Sequence, residues 1–130
     1  MGEIYLYADK NAQIPNFCNI VPNSECNAVY GWSIGRGNWN FATGAWTKVR
    51  QTVRINTFNG NTPQANGVVT VWVNDNPVPA LYLDKIVYST IPTVKPLAID
   101  FETFFGGSKP QFVNTKDQYA YFKDFKLSAY

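Results

Sequence analysis

Leu97-Ala98-Ile99-Asp100-Phe101-Glu102-Thr103-Phe104-Phe105-Gly106-Gly107-Ser108 is the stretch whose reading decides the fold. Alternate positions place Leu97, Ile99, Phe101, Thr103 and Phe105 on one side, and Ala98, Asp100, Glu102 and Phe104 on the other. That two-residue period predicts a strand with one core face. The second face carries two carboxylates beside an aromatic ring, where water or a ligand meets them. Gly106-Gly107 ends the strand.

The same period recurs outward from this stretch. Residues 2–8 set Tyr5 and Tyr7 on one face and Ile4 and Leu6 on the other. Residues 30–41 predict a strand interrupted by Gly31, Gly35 and Gly37, with a bulge and a neighbouring backbone close by. In residues 46–56, Val49, Val53 and Ile55 point inward, while Trp46, Lys48, Arg50, Thr52 and Arg54 make an outer cationic stripe. At ~3.3 Å per residue the stripe is about 25–30 Å long. Residues 68–73, 81–88 and 119–127 complete the set, the last with Tyr119, Tyr121, Phe125 and Leu127 sharing a face. Asn74-Asp75-Asn76-Pro77 predicts a turn. No segment has a helical period, so the expectation is an all-β chain, an antiparallel β-sandwich or β-jelly roll of the concanavalin A-like kind, forming one domain over 1–130.

Composition narrows the chemistry. Of 130 residues, 16% are aromatic and 15% charged, so large rings must build the core and some remain for recognition. A net charge of only +2 is too small to argue for nucleic acid, although the stripe at 46–56 is locally basic. The absence of histidine excludes Ser-His-Asp and Cys-His catalysis and the common histidine-ligated zinc sites. Neither a cofactor nor a metal is expected. No apolar run approaches the ~18–20 residues of a membrane span and no leader-like pattern opens the chain, which predicts a soluble protein. Residues 9–29 hold two prolines, five asparagines and both cysteines. A Cys18–Cys26 disulfide there would tie a long loop with little core of its own, and it points to an oxidising, extracellular setting.

Three constellations compete as a site. Asp100 and Glu102 form a glycosidase pair only if their carboxyls come within about 5.5 Å. Tyr5 and Tyr7 are two phenols able to act as base and acid in an elimination when a cation sits beside them. The exposed rings and the Arg/Lys stripe suit an acidic polysaccharide held by stacking and charge, with no reaction. Trp39 and Arg36 add to that binding set, as do Lys48, Arg50, Glu102, Tyr119 and Tyr121.

Residues 2–7, Gly-Glu-Ile-Tyr-Leu-Tyr, followed by Cys26-Asn27, by Tyr-Gly-Trp-Ser-Ile-Gly-Arg-Gly at 30–37, by Gly44-Ala45-Trp46-Thr47, by Thr-Phe-Phe-Gly-Gly-Ser at 103–108 and by Lys-Asp-Gln-Tyr-Ala-Tyr-Phe at 116–122, resemble the family 14 polysaccharide lyases, most closely the fungal members. The resemblance implies a β-jelly roll and a metal-free β-elimination on uronic-acid polymers such as alginate or glucuronan. It places the Tyr-x-Tyr motif, here Tyr5 and Tyr7, in the cleft. One phenol would take the C5 proton while the other, or a lysine, assists the leaving oxygen, and a cation steadies the growing charge. The family pattern also has a lysine strand and a Ser-x-Arg strand upstream of Tyr-x-Tyr, and neither is present in this chain. Arg36, Lys48 or Arg50 would have to stand in.

The expected function is therefore recognition of an acidic polysaccharide by a lyase-like, catalytically incomplete, lectin-like jelly roll. The alternatives are an active lyase using Tyr5 and Tyr7, and a fungal defence or cytotoxic protein. A sandwich without those strands leaves an open apolar edge, which predicts rearrangement or a homodimer covering it.

Overall fold

The computed structural model describes residues 1–27, 29–95, 98–103 and 109–129. The chain divides into two compact units, Met1–Lys95 and Pro96–Tyr130. In the first unit the strands are β1 (Gly2–Leu6), β2 (Glu25–Asn27), β3 (Gly31–Trp39), β4 (Val49–Arg54), β5 (Phe58–Asn59), β6 (Thr62–Pro63), β7 (Gly67–Val73) and β8 (Leu81–Ile86). Among the described residues there is no α-helix, only single 3₁₀ turns. Two three-stranded antiparallel sheets, ordered β1-β3-β2 and β4-β7-β8, make the fold an all-β sandwich, and β5 and β6 form a separate small hairpin.

Strand alternation explains the core. Leu6 of β1 and Trp32 and Ile34 of β3 meet Val69 and Val71 of β7 and Leu81, Leu83 and Ile86 of β8 in one apolar cluster. Each such buried side chain contributes roughly 1.5–3 kcal/mol from removal of apolar area from water. Register follows from the same faces, since Val69 opposes Leu83 and Val71 opposes Leu81. Asn74 and Asp75 are both left-handed, and Asn76 N–H donates to the Val73 carbonyl at 3.1 Å, so the expected turn is a tight one of primed type.

The long segment after β1 is better anchored than its composition suggests. Cys18 and Cys26 are bonded, with Cα atoms 5.9 Å apart. Phe17 and Val21 nevertheless enter the core, and the Phe17 ring lies 5.3 Å from that of Trp32. Residues 25–27, expected in a loop, pair with β3 because Cys26 falls opposite Trp32.

Two side-chain amides extend the ladder beyond β8. Gln13 donates from Nε2 to the Val87 carbonyl at 2.8 Å and accepts from Val87 N–H at 3.0 Å. Asn56, itself buried, donates from Nδ2 to the Ser89 carbonyl at 3.1 Å and accepts from Ser89 N–H at 3.0 Å. Each amide does for one residue what a neighbouring strand would do.

Three expectations need correction. The stretch 97–108 is not a strand over its described part, 98–103, where Ile99 and Phe101 are exposed; the remainder lies outside the described residues. Residues 119–127 are not a strand either. In that second unit, where no strand is described, the rings instead cluster locally, with Phe101 4.8 Å from both Phe122 and Phe125. Alternating sequence without a partner strand does not hold an extended ladder. Finally, β4 is an edge strand, so its core-side valines are uncovered: Val49 is 43% exposed and Val53 50%.

Candidate functional site

β1 places Tyr5 on the face turned away from the core, and Tyr7 follows just past its end. The two rings meet edge to face with centroids 5.3 Å apart. Tyr5 is 45% exposed and Tyr7 78%. Gly31 makes this possible. A Cβ there would lie 2.9 Å from the ring of Tyr5 and 2.9 Å from that of Tyr7, and its φ of +109 is one that glycine adopts readily. Tyr5 Oη donates to the Tyr30 carbonyl at 3.1 Å, which orients the first ring and leaves the second at the rim of a groove.

That groove, about 430 Å3, is lined by Tyr7, Asp9, Asn27, Gly31 and Tyr88 among others. Its polar walls are braced. Asn27 Oδ1 accepts from the N–H groups of Val29 and Tyr30 at 2.8 and 3.2 Å, and Asp9 accepts from Asn11 N–H at 2.9 Å. The Tyr88 hydroxyl is pushed up to about 12 because burial disfavours its charged form, so it stays a neutral phenol through the physiological range.

Cross-strand register fixes what stands beside the phenols. Ser33 opposes Tyr5, and Glu25 opposes Ser33 on the far side. Ser33 Oγ donates to Glu3 Oε2, and Arg36 Nε lies 3.9 Å from the same oxygen. Arg36 is the one cation within the three strands of this sheet, and it sits in the irregular stretch of β3 where pairing steps from Ile34 to Trp39. Its charge is directed at Glu3.

The remaining expected site residues are placed elsewhere. Trp39 is buried, 9% exposed, with its indole stacked on Gly2 and its Nε1 without a hydrogen-bond partner. It belongs to the core, because left-handed Gly35 and Gly37 shift the alternation of β3 and turn residue 39 inward. Lys48 and Arg50 come together, but on the outer face of the other sheet. Val69 and Val71 of β7 face the core, so Trp72 and its cross-strand partner Arg50 face away from it, on the side of the sandwich opposite Tyr5. Glu102, Tyr119 and Tyr121 are exposed in the second unit, as is Asp100.

Glu3 and Ser33 were not expected at the site, although the parity of residues 2–8 places Glu3 on the face of Tyr5. Asp9, Asn27 and Tyr88 have no such signal, since they reach the groove from a turn, a short strand and the segment that follows β8. Among the described residues no group of three or more His, Cys, Asp or Glu side chains is placed to hold a metal.

A two-sheet antiparallel sandwich with an exposed phenol pair beside a polar groove defines an all-β protein of the jelly-roll type. The polysaccharide lyase 14 family model matches residues 1–125, and the chain belongs to that family. No curated protein and no solved structure matches it. Membership supports a lyase-like role in binding polysaccharide, and members are typically extracellular, the setting in which the Cys18–Cys26 bond persists. No helix among the described residues is long and apolar enough to cross a membrane.

Proposed function

We propose that this chain recognises an acidic, uronic-acid-containing polysaccharide outside the cell, as a lyase-derived jelly roll over 1–130 in which Tyr5 and Tyr7 bind sugar instead of cleaving it. The supporting observation is the paired, solvent-facing rings over Gly31 at the mouth of a groove. Edge-to-face rings present apolar surface and a hydroxyl together, which suits a pyranose. β-Elimination asks for more: a phenol free to take the C5 proton and a cation for the growing carboxylate charge. Here the Tyr5 hydroxyl donates a hydrogen bond to the Tyr30 carbonyl, and Arg36 is turned to Glu3.

The second reading, an active lyase cleaving glucuronan or alginate with Tyr5 and Tyr7, is favoured by the family match. One experiment separates them. The protein is incubated with polyglucuronate and with alginate, and the unsaturated product is followed near 235 nm. We expect no product, with retained salt-sensitive binding that Tyr7→Ala weakens. Product that disappears in Tyr5→Phe and Tyr7→Phe would establish the lyase. Neither product nor binding would leave the defence or cytotoxic role.

The open edge of β4 supports pairing with a second copy. An antiparallel repeat centred on Gln51 sets Val49 against Val53 and Arg50 against Thr52, whereas centring on Thr52 opposes Arg50 to Arg54. Gel filtration that gives only monomer at high concentration would remove this reading.

A further inference from the structure

A second groove, of about 290 Å3, lies on the outer face of the β4-β7-β8 sheet and is lined by Lys48, Arg50, Trp72, Asp75, Asn76 and Pro77. Its construction is specific. Arg50 opposes Trp72 in register, and the guanidinium carbon sits 4.0 Å from the indole centroid. The indole holds the guanidinium by a cation–π contact, and no hydrogen bond or ion pair to a described residue occupies its N–H groups. That planar fork is the geometry that grips a carboxylate through two parallel bonds.

The rest of the groove is tied down. Lys48 N–H donates to Asn74 Oδ1 at 3.0 Å, and Asn74 N–H donates to the Lys48 carbonyl at 2.9 Å, which clamps the β7–β8 turn to the start of β4. Lys48 Nζ then meets the two Asp75 oxygens at 2.7 and 3.0 Å. Asp75 balances Lys48. Among the ion pairs of the described residues Arg50 has none, so the groove keeps one uncompensated, pre-oriented cation over an aromatic floor.

We infer that this groove is a second glycan site, separate from the tyrosine groove, which takes the carboxylate of a uronic-acid residue on the Arg50 fork, held in place by Trp72, while Pro77 meets the apolar face of the sugar ring. The inference stands without the tyrosine reading, since it uses no residue of that groove. The two grooves share no lining residue, and a polymer long enough to reach both would gain the avidity of linked sites.

The test is a titration of the isotope-labelled protein with a glucuronate tetrasaccharide, a neutral glucan of equal length and inorganic sulfate, followed at the Trp72 indole N–H and the Arg50 Nε–H. Saturable shifts with the acidic sugar alone are expected. Arg50→Gln weakens the site by about tenfold or more, the factor expected for lost charge-assisted hydrogen bonds. Arg50→Lys, which keeps the charge but not the fork, loses most of the same affinity, and Tyr7→Ala leaves it unchanged. The indole signals of the buried Trp32 and Trp39 report whether each variant is folded. If Arg50→Gln disturbs them, Lys48→Gln, which leaves the stack in place, is used and weakens the site about threefold. Absence of shifts at Trp72 and Arg50, equal shifts with sulfate or neutral glucan, or affinity unchanged in a folded Arg50→Gln or Lys48→Gln variant would each overturn the inference. Loss of shifts around Tyr7 and Gly31 alone would count only against the tyrosine site.

Discussion

Gly31 lies under the ring of Tyr7 so closely that a Cβ at residue 31 would come 2.9 Å from the ring edge. The positive φ at the same residue adds backbone strain to the steric conflict. Gly31→Ala is therefore expected to cost about 1–3 kcal/mol of stability and to splay the two phenols. Urea unfolding measures the first effect and near-ultraviolet circular dichroism the second. An alanine variant with unchanged stability and an unchanged tyrosine spectrum would show that the rings do not rest on this glycine.

Trp39 is expected to be a core residue in its behaviour as well as its position. Trp39→Ala removes an indole packed on Gly2 and should cost about 3–5 kcal/mol. In the folded fraction, glycan affinity should not change. A fall in affinity without a fall in stability would return Trp39 to the binding surface.

Gln13 and Asn56 act on neighbouring stretches of backbone and should be separable. Asn56→Ala strands the N–H and carbonyl of Ser89 and is expected to cost about 2–3 kcal/mol. Hydrogen exchange supplies the local readout. The Ser89 amide should exchange faster in Asn56→Ala and the Val87 amide faster in Gln13→Ala, each with little effect on the other.

Alkaline pH should expose the burial of Tyr88. Its folded pKa of about 12 lies above the ordinary value of 10.0, so the unfolded chain releases this proton first. The stabilisation is complete below pH 10 and is lost as the pH rises from 10 to 12. Partial exposure reduces the effect to about 1–2 kcal/mol. Tyr88→Phe keeps the packing and removes the titration, so in urea unfolding the wild type should lose that much more stability over this window. Parallel curves would show that the group titrates alike in both states.

Much of the fold was legible before the structure. The alternation of Ile4 and Leu6 with Tyr5 and Tyr7, the glycine-interrupted strand at 31–39, the apolar runs of β7 and β8 and the Cys18–Cys26 pair all follow from local periodicity and spacing. The family resemblance was legible too, because it rests on ordered motifs along one chain. Within the site, the exposure of Tyr5 and Tyr7 on a shared face followed from the same period.

What periodicity cannot supply is partnership. A two-residue repeat states which side chains share a strand face, but not which strands are neighbours or which sheet they join. Lys48 and Arg50 thus read as companions of the phenols, and only the sheet order β4-β7-β8 put them on the opposite face. Trp39 turned inward because two left-handed glycines reset the alternation, a backbone event that residue types merely permit. Residues 98–103 alternate as well as β1 does, yet an extended segment persists only where another backbone takes up its N–H and C=O groups, and that is decided by the folded chain.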